Sequence, residues 1–595
     1  MDRPGGPRMD SVFSWMPGNP APAHTGPRET RTPCQQDRSS MTSPAVVLST
    51  IQKLDELFKP WSRSDAPGLV VGVSHRGQAI YRRGFGLASI EHARANTPAT
   101  RMRIGSTTKH FCSFGIMLLA EEGKLDIHQP VRTYLPELAN VSGEPTLLQL
   151  MHHTGGLRDP MFAAFLLNRG NYGHMPAGGG LQLLARFTDL NFAPGERMAY
   201  SNAGYLLLTF VTERVSGLTW EEFMTRRVFA PMGMNETALL RSDMDIVPNM
   251  ATLHMPLPDG RWRRGIYPTD EVLGSGGMIS TIDDMLAWVA HLRGSRKKVG
   301  SEATWARMLE RQTYRSGMQA GYGLGIARDS HRGIETIHHA GATFGSQCQM
   351  LTVPQHELDI VIMANRMDAS APALALKVVD TVLEDQGLAP PVMPAPAAEF
   401  PSVRGRWYSR QSRTLLSIAP RQVQPEAPEV LLLSMYHAPT AILQKAGDGL
   451  AMPDGPMSMI EIRTLPEGST PPALLDVHIT GELERFERLP DTPPTAEELA
   501  PALAGRYRYA GFGAELEIVL REGKLFIDFL PEVGMARWEL EPLSADVLGC
   551  GTFHSIPAPS LPTFASLSIE RKDGKVTGLW IGMDRVRNLR FDRVG

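Results

Sequence analysis

The chain has 595 residues, 42% hydrophobic and 21% charged, with a formal net charge of −3. That composition suits about two to four globular domains of roughly 100–200 residues each, and the small net charge leaves no strong field to steer nucleic acid or acidic ligands. No run of 18 apolar residues occurs, so no membrane-spanning helix is expected.

Residues 1–45 are rich in Pro, Gly, Arg and Ser and contain no uninterrupted apolar stretch. They read as a disordered segment without a secretory signal. The four cysteines, Cys34, Cys112, Cys348 and Cys550, are far apart and form no CxxC pair. Neither a disulfide framework nor a zinc site is indicated, and a cytoplasmic location is expected.

Order should begin near Val46, where VVLSTIQKLDELF repeats apolar residues at helical spacing before Pro60. GLVVGVSHRGQAIYRRGFG then reads as two strands around the turn HRGQ. Residues 106–122 form an apolar run of helical length closed by Gly123. Helical patterns dominate from about 146 to 300, and ETIHHAG, SQCQMLTV and LDIVIMAN between 335 and 365 return to strand character. Strands, many helices and strands again imply a sheet flanked by helices over 46–386. The Pro/Ala-rich stretch 387–399 reads as a semi-rigid linker. Beyond it, short alternating segments imply two antiparallel β-barrel domains, 400–489 and 490–595. These have the marks of a duplication: GRWYS begins at Gly405 and GRYRY at Gly505, and the copies close on RFERL at Arg485 and RFDRV at Arg590.

Three short patterns carry chemistry. Ser106-Thr107-Thr108-Lys109 is S-x-x-K, which on a helix sets hydroxyl and amine one turn apart, at an N-terminus that favours developing negative charge. A serine hydroxyl needs a base to become a nucleophile, and a lysine serves if burial and neighbouring cations lower its pKa. The pattern recurs at Ser295–Lys298 inside a charged surface run, but Lys109 heads an apolar helix, where a lysine is costly unless paired or functional. Tyr200-Ser201-Asn202 is the one Y-x-N in the chain; a phenol can relay a proton and an amide can both donate and accept. H-x-G also occurs at His24, His75, His153 and His331; His339-Ala340-Gly341 is preferred because it lies at a predicted strand, with a glycine that would let substrate approach the backbone.

RIGSTTKHF, YSNAGY and HHAGATFG, in this order, resemble the three motifs of the serine β-lactamase and penicillin-binding protein superfamily. TLLQLMHHTGGLRD, FAPGERMAYSNAGYLLL, VFAPMGMNETAL, GSGGMISTIDDMLAW and YGLGIA are similar to its class C-like branch. Histidine in the third motif and two terminal β domains are similar to one subgroup, the D-aminopeptidase family, with AGRYRYAGFGAELEIVLREGKLFIDF and GKVTGLWIGMDRVRNLRFDRVG matching its last domain. The resemblance implies an acyl-enzyme hydrolase that releases N-terminal D-residues from small peptides, amides or esters, works without metal or cofactor, and assembles as a homodimer. Ser106 would be the nucleophile, Lys109 and Tyr200 would share the proton, Asn202 and His339 would bind substrate, and the backbone N–H groups of Ser106 and Ala342 would form the oxyanion hole beside Gly341. As a histidine, His339 would make activity pH-sensitive between about 5 and 8. The same resemblance implies an active-site loop at 551–562 carrying an acid for the substrate amine, yet GTFHSIPAPSLP has none and Pro557 stands in its place. A carboxylesterase and a non-catalytic peptide-binding protein therefore stay open beside the peptidase. Cys112 and the pair His152–His153 read as structural, and Asp159 and Glu196 fall in no paired-carboxylate spacing.

Overall fold

Helix α1 (Pro44–Phe58) is followed by a hairpin, β1 (Leu69–His75) and β2 (Gln78–Phe85), turning on Arg76 and Gly77 at positive φ. Strands β3 (Ala327–His331), β4 (Ile334–Thr343), β5 (Ser346–Val353) and β6 (Leu358–Ala364) complete an antiparallel sheet in the order β3-β4-β5-β6-β1-β2. The computed structural model describes residues 44–166, 177–266, 272–314, 317–423, 426–436, 438–447, 449–452, 460–463, 473–479, 482–530, 536–553, 565–583 and 585–594. The expected disordered segment lies outside these residues but for 44–45, as does Cys34. So does 554–562 of the loop expected over the active site.

The central strands are apolar on both faces because both are covered. Leu69, Val71 and Val73 pack with Leu54 and Phe58 of α1 and with Leu374 and Val378 of a C-terminal helix (Ala371–Val382). Val70, Val361 and Met363 face a larger helical body that includes α2 (Thr108–Glu121), α3 (Asn202–Ser216) and α4 (Ile282–Arg293). At Gly72 a Cβ would stand 2.9 Å from Leu286 and 3.3 Å from Ile282, so the missing side chain lets α4 lie against the sheet. Twelve residues of α2 are buried, Thr108 to Leu119, as its apolar run predicts. Residues Leu48–Gly595 form one compact unit.

Two antiparallel β-barrels follow. In the first, nine described strands form a sheet whose edge strands, Ala438–Ile442 and Gln444–Ala446, are consecutive in the chain, so the sheet curls almost closed. The Pro-rich stretch expected as a linker is bonded to it: Ala395 N–H donates to Leu443 O and Ala397 N–H to Glu429 O, both at 2.8 Å. The second is a closed eight-stranded meander from Gly505–Tyr509 to Val586–Val594.

The motifs that suggested duplication are the first and last strands of each barrel, and they pair. In one, Trp407 stands opposite Arg488; in the other, Tyr507 stands opposite Arg593. Both glycines take left-handed φ, 133° and 141°. An arginine packs against each: a Cβ on Gly405 would meet Arg488 at 3.3 Å, and one on Gly505 would meet Arg593 at 3.3 Å. Arg488 donates to Arg404 O and Arg593 to Ala504 O, the carbonyl just before the glycine in both copies. The repeated G-R-aromatic and R-F-x-R patterns are thus one structural device used twice.

Candidate active site

Residues Gly105–Thr107 form a 3-10 turn leading into α2, with Gly105 at φ 52°. The serine expected at the head of an α-helix therefore sits on the tighter turn before it. The reason is steric. A Cβ on Gly105 would lie 2.6 Å from Ala342 N, and one on Gly341 would lie 1.8 Å from Ile104 O. The serine turn is pressed onto β4, and Thr107 Oγ1 donates to His339 O at 3.2 Å. Gly341 makes this backbone contact and also borders the cavity.

One helical turn beyond Ser106, Lys109 is fully buried. Its Nζ is 3.1 Å from Ser106 Oγ, 2.8 Å from Asn202 Oδ1 and 2.6 Å from Ser275 O. Ser275 belongs to the GSGG segment, where a Cβ on Gly274 would come within 2.6 Å of Cys112 Sγ and Thr209 Oγ1, so small residues let the carbonyl reach the amine. Cys112 is core, its thiol pushed up to about 12 by burial. Tyr200, just before the α3 N-cap Ser201, borders the same cavity as Ser106, and Lys109 Nζ stands 4.8 Å from its ring centre. Hydroxyl, amine and phenol from two distant stretches thus meet in one cleft.

The electrostatics follow from burial. Desolvation, reinforced by the Arg585 guanidinium, holds Lys109 well below the usual lysine range, while the Asp159 carboxylate works in the opposite sense. Burial raises Tyr200 to about 12, against the lowering effects of the Ser106 hydroxyl and of Arg585. His339 is buried, with Nε2 2.8 Å from Tyr322 Oη and Nδ1 2.6 Å from Ala340 O. The carbonyl can only accept, so Nδ1 carries the proton and Nε2 accepts from the phenol. Burial and the nearby lysine push this imidazole well below its ordinary value. The expected titration of His339 between about 5 and 8 is therefore corrected: its protonated form has no solvation there. His153 packs its ring 4.2 Å from that of Tyr200 and accepts from Ser201 N–H at 3.2 Å, which is positioning of the tyrosine loop.

Ser106, Tyr200, Asn202, His339, Gly341 and Ala342 all border a single cavity of about 430 Å³. Four further residues belong here: Tyr322, Ser275 and Arg585, which were not singled out from the sequence, and Asp159, which was set aside. Tyr322 bonds His339, and Ser275 accepts from Lys109. Asp159, fully buried, accepts from Asn202 N–H at 2.9 Å and so sits at the α3 N-terminus, where the helix dipole favours a carboxylate. Arg585 enters from the hairpin of the last barrel, its guanidinium 5.0 Å from the Tyr200 ring centre. Among the described residues no group of three or more His, Cys, Asp or Glu is placed to hold a metal ion.

A protein-family model described as Beta-lactamase matches residues 49–383, more than half the chain. The chain belongs to the beta-lactamase family. Its serine, lysine and tyrosine occupy the cleft between the sheet and the helical body of this beta-lactamase-fold hydrolase. Relatives extend over the barrels too. The D-aminopeptidase of Gluconobacter oxydans (strain 621H) is 26% identical over 542 residues, 90% of this chain and 97% of that protein. The D-aminopeptidase of Cereibacter sphaeroides is 27% identical over 534 residues, 89% and 96%. The crystal structure of SurE superposes with a TM-score of 0.51 at 23% identity, covering 75% of this chain and all but 1% of the other, a likeness of fold.

Proposed function

We propose that this beta-lactamase-fold enzyme hydrolyses small peptides and amides through an acyl-enzyme on Ser106 and releases an N-terminal D-residue. The observation that carries the chemistry is the coordination of Lys109. A neutral amine has two N–H donors and one lone pair. Asn202 Oδ1 and Ser275 O take the two hydrogens, which leaves the lone pair for the Ser106 hydroxyl 3.1 Å away. With its pKa held far below the lysine range, Lys109 is the base; with a pKa near 12, Tyr200 stays protonated and is the donor. Ser106 Oγ attacks the carbonyl as its proton passes to Lys109. The C–N bond then breaks as Tyr200 hands its proton to the departing nitrogen and regains one from Lys109. The oxyanion would be held by the amide of Ala342, an exposed residue of β4 beside the Ser106 turn, and by that of Ser106. Water reverses the sequence on the acyl-enzyme.

The D-peptidase reading is supported by two D-aminopeptidases aligned over nearly their whole length. A carboxylesterase is the second reading. No Asp or Glu stands among the described residues bordering the cavity, and Pro557 replaces the acid expected for the amine. Incubation with a fluorophosphonate probe, with Ser106→Ala as control, tests the acyl-enzyme; an unlabelled wild type overturns it. Release of p-nitroaniline from D-Ala-p-nitroanilide but not from the L-isomer supports the peptidase, and release only from p-nitrophenyl acetate replaces it with the esterase.

A further inference from the structure

The cavity has one charged side chain among its described lining residues, and it is a cation, Arg585. The rest of its wall near that residue is apolar or aromatic, with Met161, Phe162 and Tyr200. Arg585 comes from the turn between the last two barrel strands, Lys575–Met583 and Val586–Val594, and that turn is fastened into the beta-lactamase-fold domain. Its carbonyl accepts from Asp159 N–H at 3.1 Å and from Asn191 Nδ2 at 3.1 Å. Two residues on, Arg587 N–H donates to Asn191 Oδ1 at 2.8 Å, and Arg587 O accepts from Arg158 Nε at 3.1 Å. Arg158, itself fully buried, is held in turn by Asp189. The guanidinium then lies against two rings, 5.1 Å from the centre of Phe162 and 5.0 Å from that of Tyr200. A side chain held this way is pre-organised, which is how a binding group gains selectivity.

From this geometry we infer that Arg585 is a specificity-determining residue that receives a carboxylate on the leaving group, so that the substrates are short peptides ending one residue past the scissile bond. The inference rests on the proposed peptidase reading. Tyr200 is the group that protonates the departing nitrogen, and Arg585 stacks on Tyr200. In a dipeptide the C-terminal carboxylate is two bonds from that nitrogen, on the same side of the reacting carbonyl. Arginine suits this task because its planar donors match a carboxylate in pairs. A cavity of about 430 Å³ takes a dipeptide with room for solvent.

The test is steady-state hydrolysis of D-Ala-Gly and of D-Ala-Gly amide by the full chain, its Arg585→Met variant and its Arg585→Lys variant. Methionine keeps an apolar stem over the two rings and removes the charge. Any effect on the base or the phenol acts on both substrates and cancels in the ratio of their kcat/KM values. Wild type should favour the free acid. The acid-to-amide ratio should fall by roughly 10–100-fold in Arg585→Met, mainly through KM, with partial recovery in Arg585→Lys. A wild type that prefers the amide, or a ratio unmoved in Arg585→Met, overturns the inference while leaving the peptidase reading intact. A wild type that cleaves p-nitrophenyl acetate and neither peptide overturns both.

Discussion

Arg197, three residues before Tyr200, is ion-paired at 3.2 Å with Glu484 in the last strand of the first barrel, and both side chains are buried. Glu484 also accepts from Ser412 of the same barrel. The barrel thus holds the loop that presents the phenol. Removing one member of a buried pair leaves the other charged and desolvated, which costs about 3–5 kcal/mol. Glu196 still pairs with Arg197 at 3.1 Å, so Glu484→Ala should lower the unfolding free energy toward the lower end of that range, with a matching fall in the urea midpoint, and lower kcat as the tyrosine loop loosens. Unfolding monitored by tryptophan fluorescence and single-turnover acylation check the two effects; a variant as stable as wild type would make this contact incidental.

Gly105 and Gly341 let two backbones touch, so their substitution tests whether that contact shapes the oxyanion hole. At Gly105 a methyl group combines an unfavourable φ of 52° with a 2.6 Å approach to Ala342 N. Gly105→Ala should displace that amide and reduce kcat by about 10²–10³, the usual effect of losing one oxyanion donor. Gly341→Ala meets a carbonyl oxygen at 1.8 Å and should fail more severely, with a lowered melting temperature. Kinetics on p-nitrophenyl acetate alongside calorimetric melting separates the two behaviours.

Local patterns revealed part of this site, and chain topology concealed the rest. Ser106 and Lys109 are legible because one helical turn fixes their separation whatever the tertiary fold. Tyr200, Asn202 and His339 needed the order of three motifs, since H-x-G recurs along the chain and a lone Y-x-N is equally a turn tyrosine with a capping asparagine. Asp159 carried no signal: its partners are the amides of Asn202, Met161 and Phe162, and backbone partners leave no pairing of side-chain types to find. Arg585 stands in a basic, alternating strand segment that reads as barrel surface, and only the clasp through Asn191 and Arg158 turns it inward. His339 misled on pH because sequence position says nothing of desolvation.

Tyr200→Phe keeps the ring that His153 and Arg585 pack against and removes only the hydroxyl. Loss of one general acid should lower kcat/KM by about 10²–10⁴ with little change in stability. The deficit should shrink on p-nitrophenyl acetate, whose leaving group departs without a proton. An equal loss on anilide and ester would instead assign the phenol to positioning Ser106.

The ionisation of Lys109 supplies a test with a sign. Its deprotonated form is the active one, so the rate should be present above its folded pKa and be lost as pH falls through it. The charged and titratable groups around it are Arg585, Asp159, Tyr200, Tyr205, Cys112, His153 and His339. Both imidazoles are depressed well below 6.5 and Tyr200 is raised to about 12, so neither kind of group should add a limb between these limits. The expected profile is a single acid limb followed by a plateau. Arg585 lowers the lysine pKa and Asp159 raises it, so Arg585→Met should move the limb to higher pH and Asp159→Asn to lower pH. The second-order rate of inactivation by a neutral fluorophosphonate, which does not itself titrate, reports the limb directly. Shifts in the same direction for both variants, or a limb that ignores both, would mean that the titrating group is not Lys109.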